Sequence, residues 1–154
     1  MEIADLIRED VVTVYLDDSI LDVAGVLREE QVGSAVVLDA RDEVIGMVTD
    51  RDLVVYGQNF VESLERTRVN DIMATNVFTV GPDVSVSELT ERMREECVRR
   101  VPVVEDGEVL GIVTLDDIVV ALAGELDSPE LRNLAAVIES ESPPRLRDGS
   151  SDAS

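Results

Sequence analysis

Histidine, tryptophan and lysine are absent from this sequence, and cysteine occurs once, as Cys97. Without histidine, Ser-His-Asp and Cys-His activation of a nucleophile and His-ligated zinc are excluded. One thiol closes no internal disulfide. The acidic residues follow no EF-hand or similar spacing, so neither a metal site nor a catalytic constellation is expected, and the chain reads as a non-enzyme. Positive charge is scarce. The 154 residues carry 34 acidic against 13 basic side chains, a formal net charge of −21, which repels nucleic-acid phosphates and anionic membrane surfaces alike. No apolar run approaches the roughly 20 residues a membrane span needs, and Met1 is followed by Glu2 instead of a basic segment leading an apolar one. A soluble cytoplasmic protein is expected. All 13 basic residues are Arg, and the acidic excess is spread along the whole chain, a pattern that suits a high-salt cytoplasm, where screening shortens repulsion to a few ångströms. The length allows one compact domain, or two small ones sharing a core.

What is present is a repeat. Val11-Val-Thr-Val14 followed by Asp17-Asp-Ser-Ile returns as Val77-Phe-Thr-Val80 followed by Asp83-Val-Ser-Val, with Thr13 and Thr79 66 residues apart. Further on, Glu43-Val-Ile-Gly-Met-Val-Thr-Asp-Arg-Asp-Leu53 returns as Glu108-Val-Leu-Gly-Ile-Val-Thr-Leu-Asp-Asp-Ile118, with Gly46 and Gly111 65 apart. The one lost residue falls in a turn, near Arg41 in one copy and Asp106 in the other. Two blocks kept in register with a single slip in a turn identify a duplicated structural unit.

Each copy reads β-α-β-β-α, an α/β (α+β) fold. Val11–Tyr15 and Val77–Val80 are short Val/Thr-rich strands, followed by Asp-containing turns that can cap a helix. Ile20, Val23, Ala24 and Leu27, and then Val86, Leu89 and Met93, recur at helical spacing and predict helices over Ile20–Glu30 and Val86–Glu96. Ser34–Leu38 and Val101–Val104 predict strands. The turns Asp39–Asp42 and Glu105–Gly107 lead into the Gly46 and Gly111 strands, and closing helices begin at Asp50 and Leu115. The chain is thus expected to comprise repeat 1 over 1–57, a polar linker over 58–68, repeat 2 over 69–126, a helix over 127–139 opened by Ser128-Pro-Glu130, and a disordered acidic, Ser/Pro-rich tail over 140–154. One such unit leaves a sheet face bare, and two can cover each other.

Gly46-Met-Val-Thr-Asp-Arg-Asp-Leu53 and Gly111-Ile-Val-Thr-Leu-Asp-Asp-Ile118, with the Val-x-Thr-Val openings and Arg99-Arg-Val-Pro-Val-Val104, resemble the cystathionine-β-synthase (CBS) domain and its closing signature G-h-h-T-x-x-D-h. The resemblance covers Met1 to about Glu125. It implies a CBS pair, or Bateman module: two domains packed through their sheets about a pseudo-twofold axis, with two clefts that in many members bind adenine nucleotides or related adenosyl ligands. The chemistry of the signature can be argued separately. A strand that ends in Thr and enters a helix offers a hydroxyl and free backbone N–H groups suited to phosphate. A carboxylate three residues later can accept hydrogen bonds from the two hydroxyls of a ribose. Thr49 with Asp52, and Thr114 with Asp117, are therefore candidate clamps, and plain helix capping is the alternative reading of the same residues.

Carried over residue by residue, the resemblance groups Thr49, Arg51 and Asp52 with Val98, Arg99 and Arg100 in a basic first cleft. It groups Thr114, Asp116 and Asp117 with Asp18, Val32, Gly33 and Ser34 in an acidic second one. Arg99 and Arg100 stand where nucleotide-sensing members of the family carry basic residues that reach ligand phosphates, and pairing with surface carboxylates is the alternative. Val32 and Val98 are candidates to line adenine, or else strand-edge packing. Cys97, at a helix end with no base to activate it, reads as a half-buried structural thiol. The expectation is a stand-alone, non-enzymatic regulatory module with no required cofactor. It would bind AMP, ADP, ATP or S-adenosylmethionine, signal occupancy to a regulated protein, and form homodimers through the apolar run Val119–Leu122. The competing expectation is a dimerisation or docking scaffold with degenerate clefts.

Overall fold

The computed structural model describes residues 1–141, so the tail expected over 140–154 lies, but for its first two residues, outside the described residues. The chain divides into two compact units, Met1–Leu115 and the residues from Asp116 onward. In the first copy β1 (Val12–Tyr15), α1 (Ile20–Glu30), β2 (Ser34–Leu38), β3 (Val44–Thr49) and α2 (Asp50–Val55) follow one another. β1 pairs parallel to β2, and β2 antiparallel to β3. Ser19 caps α1 by accepting a 3.1 Å bond from the Asp22 amide, and the helix closes on Gln31 in the left-handed region, φ 54°.

β2 shows why the strand is apolar throughout. Side chains alternate across a sheet: Ala35 and Val37 pack with Ile20, Val23 and Leu27 beneath α1, while Val36 and Leu38 join Met47 and the second copy's Ile112 in another layer. Both faces are covered, so no polar alternation survives. The two copies meet through their sheets here. Each fully buried Val or Ile contributes about 1.5–3 kcal/mol, so these layers carry the stability of the unit.

The second copy contains α3 (Val86–Glu96), β4 (Arg100–Glu105), β5 (Glu108–Thr114) and α4 (Leu115–Glu125). Its first strand, expected over Val77–Val80, contracts to a single parallel bridge between Val80 and Val103. Two prolines are the cause. The Val80 amide donates to the Pro102 carbonyl at 3.2 Å and the Val104 amide to the Val80 carbonyl at 2.8 Å. The next bond toward Val77 would need an N–H on Pro102 and the next one beyond Val80 an N–H on Pro82, and proline has none. In the first copy the Leu16 amide makes the latter bond, to the Leu38 carbonyl at 3.0 Å. The hairpin turns also differ in detail. In the first, Asp39 accepts from the Arg41 and Glu43 amides at 2.8 and 2.9 Å. The Tyr15 hydroxyl donates to Asp42 at 2.8 Å, a bond that, together with the Asp42 charge, holds the phenol above its ordinary pKa.

Ahead of each copy stands a leader that the sequence reading did not single out. Ile3–Leu6 and Val69–Asp71 form short 3-10 turns, and Ile3, Leu6, Val69 and Ile72 are buried. The residues over 58–68, expected as a linker, belong structurally to the first copy. The Thr67 carbonyl accepts from the Ile20 amide at 2.9 Å and the Asp18 carbonyl from the Val69 amide at 2.9 Å, while Val69 and Ile72 sit in the core beneath α1. The boundary in space therefore differs from the boundary in the repeat.

In the second unit α5 spans Pro129–Glu141, two residues beyond the helix expected over 127–139. Ser128 is its cap: the hydroxyl accepts from the Leu131 amide at 3.3 Å and donates to Glu130 at 3.0 Å. Among the described residues no helix is long and apolar enough to cross a membrane.

Candidate functional site

Each signature sequence ends a strand in Thr and turns at once into a helix, and the turn is held by the start of the preceding strand. In the first copy Ser34 is the register partner of Thr49, and the Asp50 amide donates to the Gly33 carbonyl at 2.9 Å. A methyl group on Gly33 would lie 3.4 Å from an Asp50 carboxylate oxygen, so the acid lies across this corner. In the second copy Arg100 is the partner of Thr114, and the Leu115 amide donates to the Arg99 carbonyl at 2.8 Å. The hairpin register thus sets Gly33 and Ser34 beside Thr49, and Arg99 and Arg100 beside Thr114, within each copy, whereas the clefts that the resemblance implies join residues of both copies. The physical reason is the short β2–β3 and β4–β5 turns, which bring the start of one strand to the end of the next.

Thr49 and Asp52 cap each other. The Asp52 amide donates to the Thr49 hydroxyl at 3.1 Å and the Thr49 amide to an Asp52 carboxylate oxygen at 2.9 Å, the reciprocal arrangement of a capping box. The capping alternative is therefore realised, and it leaves the second Asp52 oxygen without a protein donor among the described residues. Arg51 and Arg100 are exposed, and among the described residues neither guanidinium has an ion pair. Arg99 is exposed as well. Asp18 accepts from the Tyr15 amide at 2.9 Å, closing the turn before α1. Val32 and Val98 are half-buried residues directly after the left-handed helix caps, their amides donating to the Leu27 and Met93 carbonyls at 3.1 Å each. Asp116 and Asp117 lie in the first turn of α4. Among the described residues no group of three or more His, Cys, Asp or Glu side chains is placed to hold a metal ion.

One expectation is corrected. Cys97 is exposed, not half-buried. It occupies the left-handed cap of α3, φ 54°, a position off the apolar stripe of Leu89 and Met93, which turns its side chain to water.

The signature glycines have a structural role as well. A methyl group on Gly46 would stand 2.7 Å from the Ala74 carbonyl oxygen, and one on Gly111 2.3 Å from that of Arg8. Here the leaders pass. Arg8 and Ile112 exchange backbone bonds of 2.9 and 3.0 Å, and Met47 and Ala74 bonds of 3.0 and 2.9 Å. The signal that could have found them is the pair Ile3-Ala-Asp-Leu-Ile7 and Val69-Asn-Asp-Ile-Met73, again 66 residues apart.

Two copies of a β-α-β-β-α order, packed sheet to sheet, each closing in a glycine-bearing strand that ends in Thr and turns at once into a helix, define a tandem CBS pair. The chain belongs to the CBS-domain family, whose model matches residues 3–58 and 69–124; both matches take in the leaders. Uncharacterized protein MK0525 of Methanopyrus kandleri is 34% identical over 119 residues, covering 77% of this chain and 61% of that protein. The chain thus spans under two thirds of that relative's length. Among solved structures, the CBS-domain containing protein ATU1752 from Agrobacterium tumefaciens is 34% identical with a TM-score of 0.65, covering 79% of this chain and 99% of its own. The CBS domain pair of protein MJ0100, in complex with 5′-methylthioadenosine and S-adenosyl-L-methionine, is 26% identical with a TM-score of 0.67, covering 82% of this chain and 98% of its own.

Proposed function

We propose that this protein is a regulatory CBS pair that does no chemistry of its own. It binds an adenosine-containing ligand, such as AMP, ADP, ATP or S-adenosylmethionine, and signals occupancy to a partner protein. The observation that carries the reading is the register joining Arg100 to Thr114. It sets the exposed Arg100 side chain, with Arg99 the residue before it, at a strand end whose Thr and following backbone suit phosphate. The Thr49 corner offers Ser34, Gly33 and the Asp50 and Asp52 carboxylates against the one guanidinium of Arg51, so it suits a neutral or cationic adenosyl group. The two corners therefore differ in ligand preference. The relative bound to methylthioadenosine and S-adenosyl-L-methionine supports this ligand class.

Calorimetric titration with AMP and with methylthioadenosine tests the reading. Arg100→Ala is expected to weaken AMP at least tenfold, about 1.4 kcal/mol, and to leave neutral methylthioadenosine within about twofold. Equal losses for both compounds would remove Arg100 from the phosphate site. The capping box of Thr49 and Asp52 favours a second reading, a docking scaffold whose corners are purely structural, and binding of neither compound at millimolar concentration would establish it.

The protein also forms a homodimer in this reading. The run Val119–Leu122, expected to carry it, is half-buried but for Leu122, 38% exposed. Val54, Val55 and Tyr56, at the end of α2, are 74, 40 and 51% exposed and add apolar surface of the kind that marks an association face. Light scattering in molar salt is expected to give twice the chain mass, reduced to the chain mass by Val54→Glu. A monomer in the unsubstituted protein would refute it.

A further inference from the structure

The leaders are exchanged. The segment ahead of the first copy, ending at Arg8, is bonded to β5 of the second, and the segment ahead of the second copy, ending at Ala74, is bonded to β3 of the first. In each case the strand residue that holds the leader, Met47 or Ile112, stands two positions before the corner threonine, Thr49 or Thr114. Both leaders cross the strand over a glycine, and side-chain atoms lie over the same point: Met73 Sδ would be 2.8 Å from a methyl group on Gly46, and Ile7 Cγ2 2.5 Å from one on Gly111. β3 and β5 each have a hairpin partner on one side only, β2 and β4. The leader is what covers the other edge near the corner.

We infer that the two leaders are crossed latches, each holding closed the strand-end corner, at Thr49 or Thr114, of the copy to which it does not belong in sequence. Release of the first leader loosens the Thr114 corner, and release of the second loosens the Thr49 corner. A change in either corner is thereby felt at the head of the other copy, a route between the two corners made of backbone bonds. The inference is independent of which ligand binds, and its test needs none.

Arg8→Pro deletes one latch bond at an exposed position, and the preceding Ile7 already has the extended backbone, φ −70° and ψ 122°, that a following proline demands. Ala74→Pro is the reciprocal change. Hydrogen exchange of the full chain reads the corners through two amides, Leu115, bonded to Arg99, and Asp50, bonded to Gly33. In Arg8→Pro, Leu115 is expected to exchange about tenfold faster or more, with Asp50 within about threefold of its starting rate; in Ala74→Pro the pattern inverts. The milder Ile7→Ala and Met73→Ala, which only trim the contact over the glycines, are expected to give the same crossed pattern at smaller amplitude, and they decide the matter if a proline variant does not fold. Loosening of the corner in the same copy, equal loosening of both, or no change at either would overturn the inference.

Discussion

Gly111→Ala is expected to destabilise the protein by about 3 kcal/mol or more, enough to remove most of the folded population of a marginal domain. The glycine is buried, and its new methyl group would meet the Arg8 carbonyl oxygen at 2.3 Å and the Arg8 carbonyl carbon at 2.9 Å. These are backbone atoms held by two hydrogen bonds to Ile112, so relief requires the leader to leave the strand. Overpacking with no flexible neighbour to give way lies at the costly end of its range. Gly46→Ala meets the Ala74 carbonyl at 2.7 Å and is expected to be nearly as harmful. Gly25 is the control: it lies inside α1 with nothing within 4 Å of a Cβ, and Gly25→Ala is expected to stabilise by about 0.5–1 kcal/mol. Urea unfolding of the three variants measures all of this. A Gly111→Ala midpoint equal to that of the unsubstituted protein would mean that the leader does not cross there.

Salt is expected to produce the second large effect. Raising it from about 0.1 M to 3 M, which takes the Debye length from about 10 Å to below 3 Å, is expected to lift Tm by about 10 °C or more, equivalent to about 2.5–5 kcal/mol. A formal charge of −21 opposes compaction until it is screened. Exposed pairs such as Arg94 with Glu91 offer little relief. Arg94 and Glu91 stand 4.0 Å apart, and Arg132 and Asp127 3.5 Å, all with well-exposed side chains, and such pairs contribute about 0–1 kcal/mol each and weaken as salt rises. Scanning calorimetry across the range checks the expectation, and a Tm that stays flat or falls would argue against adaptation to high salt.

Much of the architecture was legible because it depends on local periodicity. Ile20, Val23 and Leu27 specify α1, the Asp-containing turn after β1 does lead into a helix although Ser19 and not an Asp supplies the cap bond, and both hairpin turns fall where they are expected. The run Val77–Val80 reads as a strand because its residues are good strand formers, whereas its pairing depends on a distant partner: Pro102 in β4 has no N–H for the bond toward Val77, and Pro82 has none for the bond beyond Val80. Cys97 was placed half inside because its helix is amphipathic, but a left-handed cap lies off the helix's apolar stripe. At the candidate site the Thr-x-x-Asp residues stand out in the repeat, whereas Arg99 and Arg100, matched by Gly33 and Ser34 in the first copy, stand out only through the family resemblance. Which residues share a corner could not, because a repeat gives equivalences and no pairings.

By itself the sequence determined the duplication, the order of elements in each copy, the residues of the two signature corners and the charge that must be screened, since each of these is written in composition or in spacing along the chain. Only the tertiary structure decided that the Arg pair stands beside Thr114, that the leaders change places, and that Gly46 and Gly111 are there to let them pass. Those facts rest on contacts between segments far apart in the chain, such as Arg8 with Ile112, and no local pattern of hydrophobicity or turn chemistry encodes which distant edge a strand will cover.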